Sequence, residues 1–552
     1  MTKSTQILMK ERGNWKKLYC DGAALWFSGY LLNSSVEQLQ SKAIGFRQHQ
    51  PQLSEFEEWM RGLHGNFSIV IETPDWTFAA VDKICSIPLF YLENGDQIIV
   101  GNHAPKLKEY AHLVQRDLEN DAILEIAMSG YTIGNKTLYK GLYQLTAGEC
   151  LFLTKRALKR SFYFTYSPWR VIDRSEKQLQ KEMTDSMLES LESMVESVNG
   201  RQIVIPLSAG YDSRLVVSGL KHLGVKDVFC FTYGRSGNFE SQASKVVAKR
   251  LGYEWYEVAL TPKIQRNYFL SDEFNAFKKF SDTLSSAPHI QEVNAIGLLK
   301  RSGLISSDAV IVNGNTGDFI SGGHIPPLLR GEEIKGYDKS MLLKQCWNSI
   351  LDKHFTLWKS LRQDSSDQHM VSELNYLLNE RSIPSLKDLG LEQVHGVFEC
   401  MEYLGRQSKY IVSMQRAYEF HGYEWRMPLW DDSMLGFFEN IPRTQKSNQS
   451  LYVKTLHDNN WGGVWEDVPV NYKLIQSGWI RFSRLAAKAA LFPFERKVWH
   501  RFEKNVFEYF MDPTGNTGYT NYLDVLFDRK GQRHTMSWVS RKYLMWHGVD
   551  MF

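Results

Sequence analysis

Hydrophobic and polar positions change their period along the chain. Up to about residue 165, short apolar runs alternate with turn residues. Phe67–Ile71, Thr77–Val81, Pro88–Leu92 and Gln97–Val100 have the length and composition of strands. Asn94-Gly95 between the last two is a hairpin signal, and Cys150–Leu153 closes the region. This pattern predicts a mostly antiparallel sheet region with a few helices. A charged, helix-favouring stretch from Glu176 to Asn199 follows. Beyond it come an apolar strand (Gln202–Leu207), a tight polar loop, a run of helical period (Leu215–Leu220) and a second strand (Val228–Tyr233). A helix over Ala243–Leu251 stops at Gly252, with Lys249 and Arg250 in its last turn. A third strand, Ala309–Val312, runs into Asn313-Gly314. Alternating strands and helices predict a parallel sheet with crossover helices. From about residue 335 the patterns are mainly helical, with no internal repeat or low-complexity tract.

Composition narrows the function classes. The 552 residues leave room for two to four domains at roughly 100–200 residues each. The balance of 65 Lys and Arg against 62 Asp and Glu carries no basic stripe of the kind a nucleic-acid surface needs, so no nucleic-acid partner is expected. No apolar signal core follows Met1. The apolar run Ala23–Leu32 is half a membrane span and is broken by Ser28 and Gly29. The expectation is a cytoplasmic protein without membrane insertion. Six scattered cysteines (Cys20, Cys85, Cys150, Cys230, Cys346, Cys400) read as buried or free thiols, not as a disulfide frame or zinc site. The 16 tryptophans are read as core filling ahead of a sugar platform.

The chemistry-bearing segment is Pro206-Leu-Ser-Ala-Gly-Tyr-Asp-Ser-Arg214, between a strand and a helix. A small-residue turn at a helix N-terminus gathers backbone N–H groups into one concavity that suits phosphate oxygens. Ser208 and Ser213 add hydroxyl donors, and Gly210 permits close approach. Asp212 would repel phosphate unless it held Mg²⁺ against it. Ligands collect at the carboxyl ends of strands in open α/β sheets. Two more strand ends carry small polar loops, Gly234–Gly237 and Asn313–Asp318. The loop is not of the Walker type, because no Gly-Lys-Ser/Thr follows.

The segment Ser208-Ala-Gly-Tyr-Asp-Ser213 resembles the Ser-Gly-Gly-x-Asp-Ser pyrophosphate loop of the asparagine synthetase family, with Ala209 where Gly is usual. Glu240, Ala243, Ala248 and Leu251-Gly252, Gly317-Asp318 with Gly322-Gly323, and Glu424-Trp-Arg-Met-Pro-Leu-Trp-Asp431 are similar to further family segments, and Ile441-Pro442 and Lys446 follow at family-like spacing. Gly65-Asn-Phe67, Asp82–Tyr91, Gly130–Gly134, Thr137-Leu138, Gly141 and Gly148 are similar to the family's glutaminase framework. The resemblance implies an α/β protein in two parts. Residues 1–165 would form an Ntn-hydrolase-like αββα sandwich, a degenerate class II glutamine amidotransferase-like domain. Residues 170–552 would form a PP-loop ATPase domain of the adenine nucleotide α-hydrolase type, with a parallel sheet and a helical C-terminal extension. A live glutaminase needs Cys after the initiator Met, where the free amine activates the thiol. Thr2 and Lys3 stand there instead, and Cys20 is internal.

The resemblance implies ATP and Mg²⁺. Asp212 and Asp318 would carry the metal. Ser208, Ala209, Gly210 and Ser213 would hold pyrophosphate, and Leu207, Tyr233, Gly234, Asn313 and Gly314 would frame the nucleotide. A substrate carboxylate would be adenylated and then taken by an amine or ammonia; a separate ammonia source and a homodimer remain open. Two positions depart from the family. Asn315 replaces an acidic residue, and Ser450 stands at the catalytic lysine, which leaves Lys454 or Lys446 for that role. A non-aspartate acid is therefore expected, such as a sugar acid of a surface polysaccharide. Macrolactam closure and a catalytically silent nucleotide-binding scaffold are the alternatives. Glu424 and Arg426 are expected to form a supporting ion pair.

Overall fold

The computed structural model describes residues 4–10, 14–20, 22–49, 51–330, 338–384, 388–470, 478–494, 496–528 and 534–551. Thr2 and Lys3 lie outside the described residues.

The N-terminal half is a four-layer α-β-β-α sandwich. Its six-stranded sheet runs in the order Leu158–Phe162, Glu149–Thr154, Trp76–Val81, Gly65–Glu72, Ala23–Leu31, Lys16–Cys20, antiparallel throughout. Strand side chains alternate between faces. Phe67, Ile69, Ile71, Phe78 and Phe152 therefore pack on the helices Val36–Gln48 and Leu53–Arg61. Val70, Ala79, Leu151 and Leu153 face the second sheet. That sheet has four strands in the order Ser4–Leu8, Gln97–Gly101, Phe90–Asn94, Leu142–Gln144, and the helix Ala104–Tyr110 lies against it. The Asn94-Gly95 hairpin forms, with Asn94 opposite Gln97 and Gly95 at φ 58°. The apolar run Ala23–Leu32 supplies the strand Ala23–Leu31, paired along both edges and buried mainly in its first half.

The second half is built on a five-stranded parallel sheet in the order Glu254–Ala259, Val228–Gly234, Ile203–Pro206, Val310–Val312, Glu424–Arg426. The helices Tyr211–His222 and Phe239–Leu251 are crossovers, and the second ends at Gly252 in the left-handed region. Two strands lacked a sequence signal for physical reasons. Glu254–Ala259 is a largely solvent-exposed edge with no apolar run, and Glu424–Arg426 has 3 residues. The helix Glu176–Val198 begins in a capping box at Ser175 and ends at left-handed Asn199.

The halves share one apolar core that contains Val100, Leu145, Val204 and Leu429 alike. Polar contacts cross the seam. Lys83 Nζ lies 2.5 Å from Asp432, Arg416 donates to the Ser86 carbonyl at 2.8 Å, and the Arg426 guanidinium stacks 4.1 Å from the Tyr30 ring. The C-terminal helix Thr535–Trp546 returns to the sandwich, where Ser540 donates to the Ile126 carbonyl at 2.6 Å. Among the described residues no helix is long and apolar enough to cross a membrane. Cys85, Cys150, Cys230, Cys346 and Cys400 are buried free thiols. Burial pushes Cys85 up to about 12, which removes it as a nucleophile at neutral pH.

Candidate functional site

In a sheet of order 3-2-1-4-5 the direction of winding reverses between the first and fourth strands, and a crevice opens beyond their carboxyl ends. Here those strands are Ile203–Pro206 and Val310–Val312. A cleft of about 440 Å³ opens there. It is lined by Leu207, Ser208, Gly210, Asp212 and Ser213 from one loop and by Asn313, Gly314, Asn315, Thr316 and Asp318 from the other.

The first loop is held in shape by its own hydrogen bonds. Ser208 N–H donates to Ser213 Oγ at 3.1 Å, Gly210 N–H donates to Ser208 Oγ at 3.2 Å, and the two serine hydroxyls are 3.0 Å apart. The Ala209 N–H donates to the Glu240 carboxylate at 2.5 Å. Ala209 itself is fully buried and does not line the cleft, although Glu240 does. Arg214, also buried, ties the Ala209 carbonyl to the carbonyls of Val464, Val468 and Pro469. The helix Tyr211–His222 starts at Gly210, so its first free N–H groups face the cleft.

The two loops touch. The Asp318 N–H donates to Asp212 Oδ2 at 2.8 Å, and the Tyr452 hydroxyl donates to Asp212 Oδ1 at 3.0 Å. Burial, then the negative charge of Asp318, holds the Asp212 carboxyl above the usual carboxylate range. Asp318 is held below it: burial acts the other way, but His324, 3.0 Å from its Oδ2, outweighs burial. Burial would also lower His324, yet the Asp318 and Glu402 carboxylates raise it to about 9. Thr316, next to these groups, has φ 87°. A β-branched residue there stores roughly 1–3 kcal/mol of strain.

The far wall comes from an unusual element. Tyr403–Ile411 is a π-helix of 9 residues, and it turns Arg406, Gln407 and Ile411 into the cleft. π-Helical turns gather at functional sites. Glu402 at its start is buried and accepts from His324, from Lys353 at 2.9 Å and from Gln407 at 3.2 Å, with His354 at 3.2 Å. Burial opposes its ionisation, but these donors hold it well below the ordinary range. Elsewhere in the cleft lining, Tyr233 accepts from Gln291 at 2.8 Å and donates to Glu292 at 3.1 Å.

The expected residues divide by placement. Leu207, Ser208, Gly210, Asp212, Ser213, Tyr233, Asn313, Gly314 and Asp318 line one cleft. Gly234 backs it: a Cβ there would sit 2.5 Å from the Pro513 carbonyl, and Pro513 takes the wall position. Lys454 lies on the exposed face of the helix Ser450–Asn459, paired with Glu176. Lys446 is buried behind the Gly322-Gly323 turn with both Glu399 oxygens 2.9–3.0 Å away. Neither lysine lines the cleft. Ser450 bonds to the carbonyls of Thr444 and Gln445, and its left-handed neighbour Gln449 faces the cleft instead. Glu424 and Arg426 form the expected ion pair at 3.3 Å, joined by Arg201 at 3.0 Å. His324, Glu402, Arg406, Gln407, Gln449 and Tyr452 carried no sequence signal as site residues. A separate cavity of about 300 Å³, lined by Arg266, Lys278, Tyr519 and Lys542, lies beyond the Pro513–Gly518 segment.

The asparagine synthase family model matches residues 154–456, more than half of the chain and the whole span of both loops. The chain belongs to the asparagine synthase family. No curated protein matches the chain. Among solved structures, one described as the allosteric regulatory enzyme of purine biosynthesis is similar at 12% identity over 44% of this chain and 61% of that one, with TM-score 0.19. The glutamine phosphoribosylpyrophosphate amidotransferase of B. subtilis, complexed with ADP and GMP, is similar at 10% identity over 55% of this chain and 64% of that one, with TM-score 0.18. The match thus spans under two thirds of either protein, and at such scores it carries no argument about fold.

Proposed function

We propose that this family member adenylates a non-aspartate carboxylate and converts it to an amide. The observation that supports this most is the meeting of the two loops at the sheet's switch point, with Asp212 and Asp318 in direct contact. One carboxylate oxygen of the acid attacks the α-phosphorus of ATP, and the bond to pyrophosphate breaks. The nitrogen of ammonia or an amine then attacks the acyl carbon, and AMP leaves with the C–O electron pair. The Ser208 and Ser213 hydroxyls and the helix N-terminus neutralise the departing pyrophosphate.

Hard oxygen donors beside a phosphate cradle are what Mg²⁺ takes with nucleotides, and the carboxylates of Asp212 and Asp318 are of that type, although the Asp318 N–H, Tyr452 and His324 now bond to them. Bound there, the ion would offset charge on the pyrophosphate. Among the described residues no group of three or more His, Cys, Asp or Glu could hold a metal ion by itself. With Lys446 and Lys454 outside the cleft, Arg406 and His324 are the cationic side chains among the described residues placed to meet the α-phosphate and the acid, His324 being raised, against burial, to about 9 by Asp318 and Glu402. Asn315 cannot take the amine's proton; the carboxylates that line the same cleft are Asp212, Glu240, Glu292 and Asp318. A polar wall of Arg406, Gln407, Gln291 and Gln449 suits a hydroxylated acid, which favours a sugar acid of a surface polysaccharide over aspartate.

The test is Mg²⁺-dependent ATP–pyrophosphate exchange across a panel of sugar acids, amino acids and peptides. Exchange should appear with a sugar acid and vanish in Asp212→Ala. ATP binding without exchange for every acid would leave a silent scaffold and end the ligase reading.

A further inference from the structure

A surface outside the cleft lining carries chemistry the ligase reading does not use. The helices Gly478–Ala490 and Arg496–Val506 pack through Ile480, Trp499 and Phe507, with Ala487, Leu491 and Phe510 around them. That small core satisfies their inner faces. Yet Trp479, Phe482, Leu485, Phe492 and Phe494 stand outside it, with exposures from 59% to 83%. At 100° per residue, Trp479, Phe482, Leu485, Ala486 and Ala489 share one sector of roughly 120°. Arg481 and Lys488 lie side by side at its border, about 40–60° outside it. Arg496 and Lys497 are exposed at the start of the next helix.

Charge is concentrated here as well. Residues 478–500 hold five Lys and Arg (Arg481, Arg484, Lys488, Arg496, Lys497) against Glu495, whereas the whole chain is only +3. An apolar stripe of aromatic and aliphatic side chains bordered by cations is suited to lie in the plane of an anionic lipid surface. The aromatic rings enter the headgroup boundary and the cations meet the phosphates.

We propose that residues 478–494 form a peripheral docking face for anionic membrane, holding the enzyme at a lipid surface without crossing it. The test is co-sedimentation of the full chain with phosphatidylcholine vesicles, with and without a third phosphatidylglycerol. Binding should require the anionic lipid and weaken with salt. Each juxtaposed cation is worth about fivefold in partition, so the double variant Arg481→Glu, Lys488→Glu should lose more than about 25-fold. Trp479→Ser with Phe482→Ser should lose binding even at low salt, with unchanged ATP affinity and thermal melt as proof of folding. Hydrogen exchange should slow in residues 478–494 on vesicle addition. Failure of the native chain to bind anionic vesicles, or binding indifferent to these substitutions, would overturn the proposal. So would a concentration-dependent dimer in sedimentation velocity that Phe482→Ser abolishes, since a second copy would then cover the face.

Discussion

Gly314 is where the reading of the cleft is most exposed to test. A Cβ at this position would lie 2.5 Å from the Asp212 carbonyl carbon and 2.6 Å from the Ser213 nitrogen. Both neighbours are backbone, so no rotamer change relieves the clash. Restoring a carbon contact of about 3.5 Å requires the two loops to separate by about 1 Å. The Asp318 N–H to Asp212 bond, now 2.8 Å, would break, and the N–H groups at the start of the helix Tyr211–His222 would tilt away from the phosphates. A hydrogen bond to a charged group is worth about 1.5–3 kcal/mol. Gly314→Ala should therefore weaken ATP roughly 10- to 100-fold by calorimetry. Overpacking should also lower stability by about 1–3 kcal/mol. Gly436→Ala is the control: it sits in the helix Asp432–Glu439 with nothing within 4 Å of the added Cβ, and it should leave ATP affinity unchanged. ATP affinity in Gly314→Ala within twofold of the native chain would refute the reasoning, whether or not the protein lost stability.

Other consequences are equally specific. Lys446→Met strands the buried Glu399 carboxylate and should cost about 3–5 kcal/mol in urea unfolding, while adding Glu399→Leu should recover most of it. Loss of pyrophosphate exchange in that stable double variant would return Lys446 to the catalytic machinery. Burial, aided by Arg406, depresses buried His289 from 6.5 to about 4. The unfolded chain thus binds more protons between those values, and stability should be complete above pH 6.5 and decline as pH falls toward 4, by at most about 3 kcal/mol. His289→Phe should flatten the melting temperature over that range. Arg381 donates to the Ala147 carbonyl at 2.7 Å and to the Thr146 hydroxyl at 2.5 Å, with its guanidinium 3.9 Å from the Phe162 ring. Arg381→Ala should destabilise the chain by about 2–4 kcal/mol, read as a lower melting temperature in calorimetry.

Periodicity and turn chemistry belong to the sequence, and they determined what depends on neighbours along the chain. The strands Gly65–Glu72, Trp76–Val81 and Val228–Gly234, the Asn94-Gly95 hairpin, the capped helix Glu176–Val198 and the small-residue loop 208–213 were all legible. So was the set of residues at the strand ends, because a loop after a strand in an open parallel sheet has one place to go. The fold decided what depends on distance through space. Asp212 and Asp318 meet only because the strands Ile203–Pro206 and Val310–Val312 pair in register, Ile203 with Val310. Arg406 and Gln407 reach the cleft through π-helical winding, which leaves no mark in a hydrophobic period of 3.6. Lys454 and Lys446 matched a motif by spacing, but the turn through left-handed Asn448 and Gln449 points the first to solvent and buries the second against Glu399. Spacing along a chain constrains which residues share an element. Which way an element faces is set by the packing of everything around it.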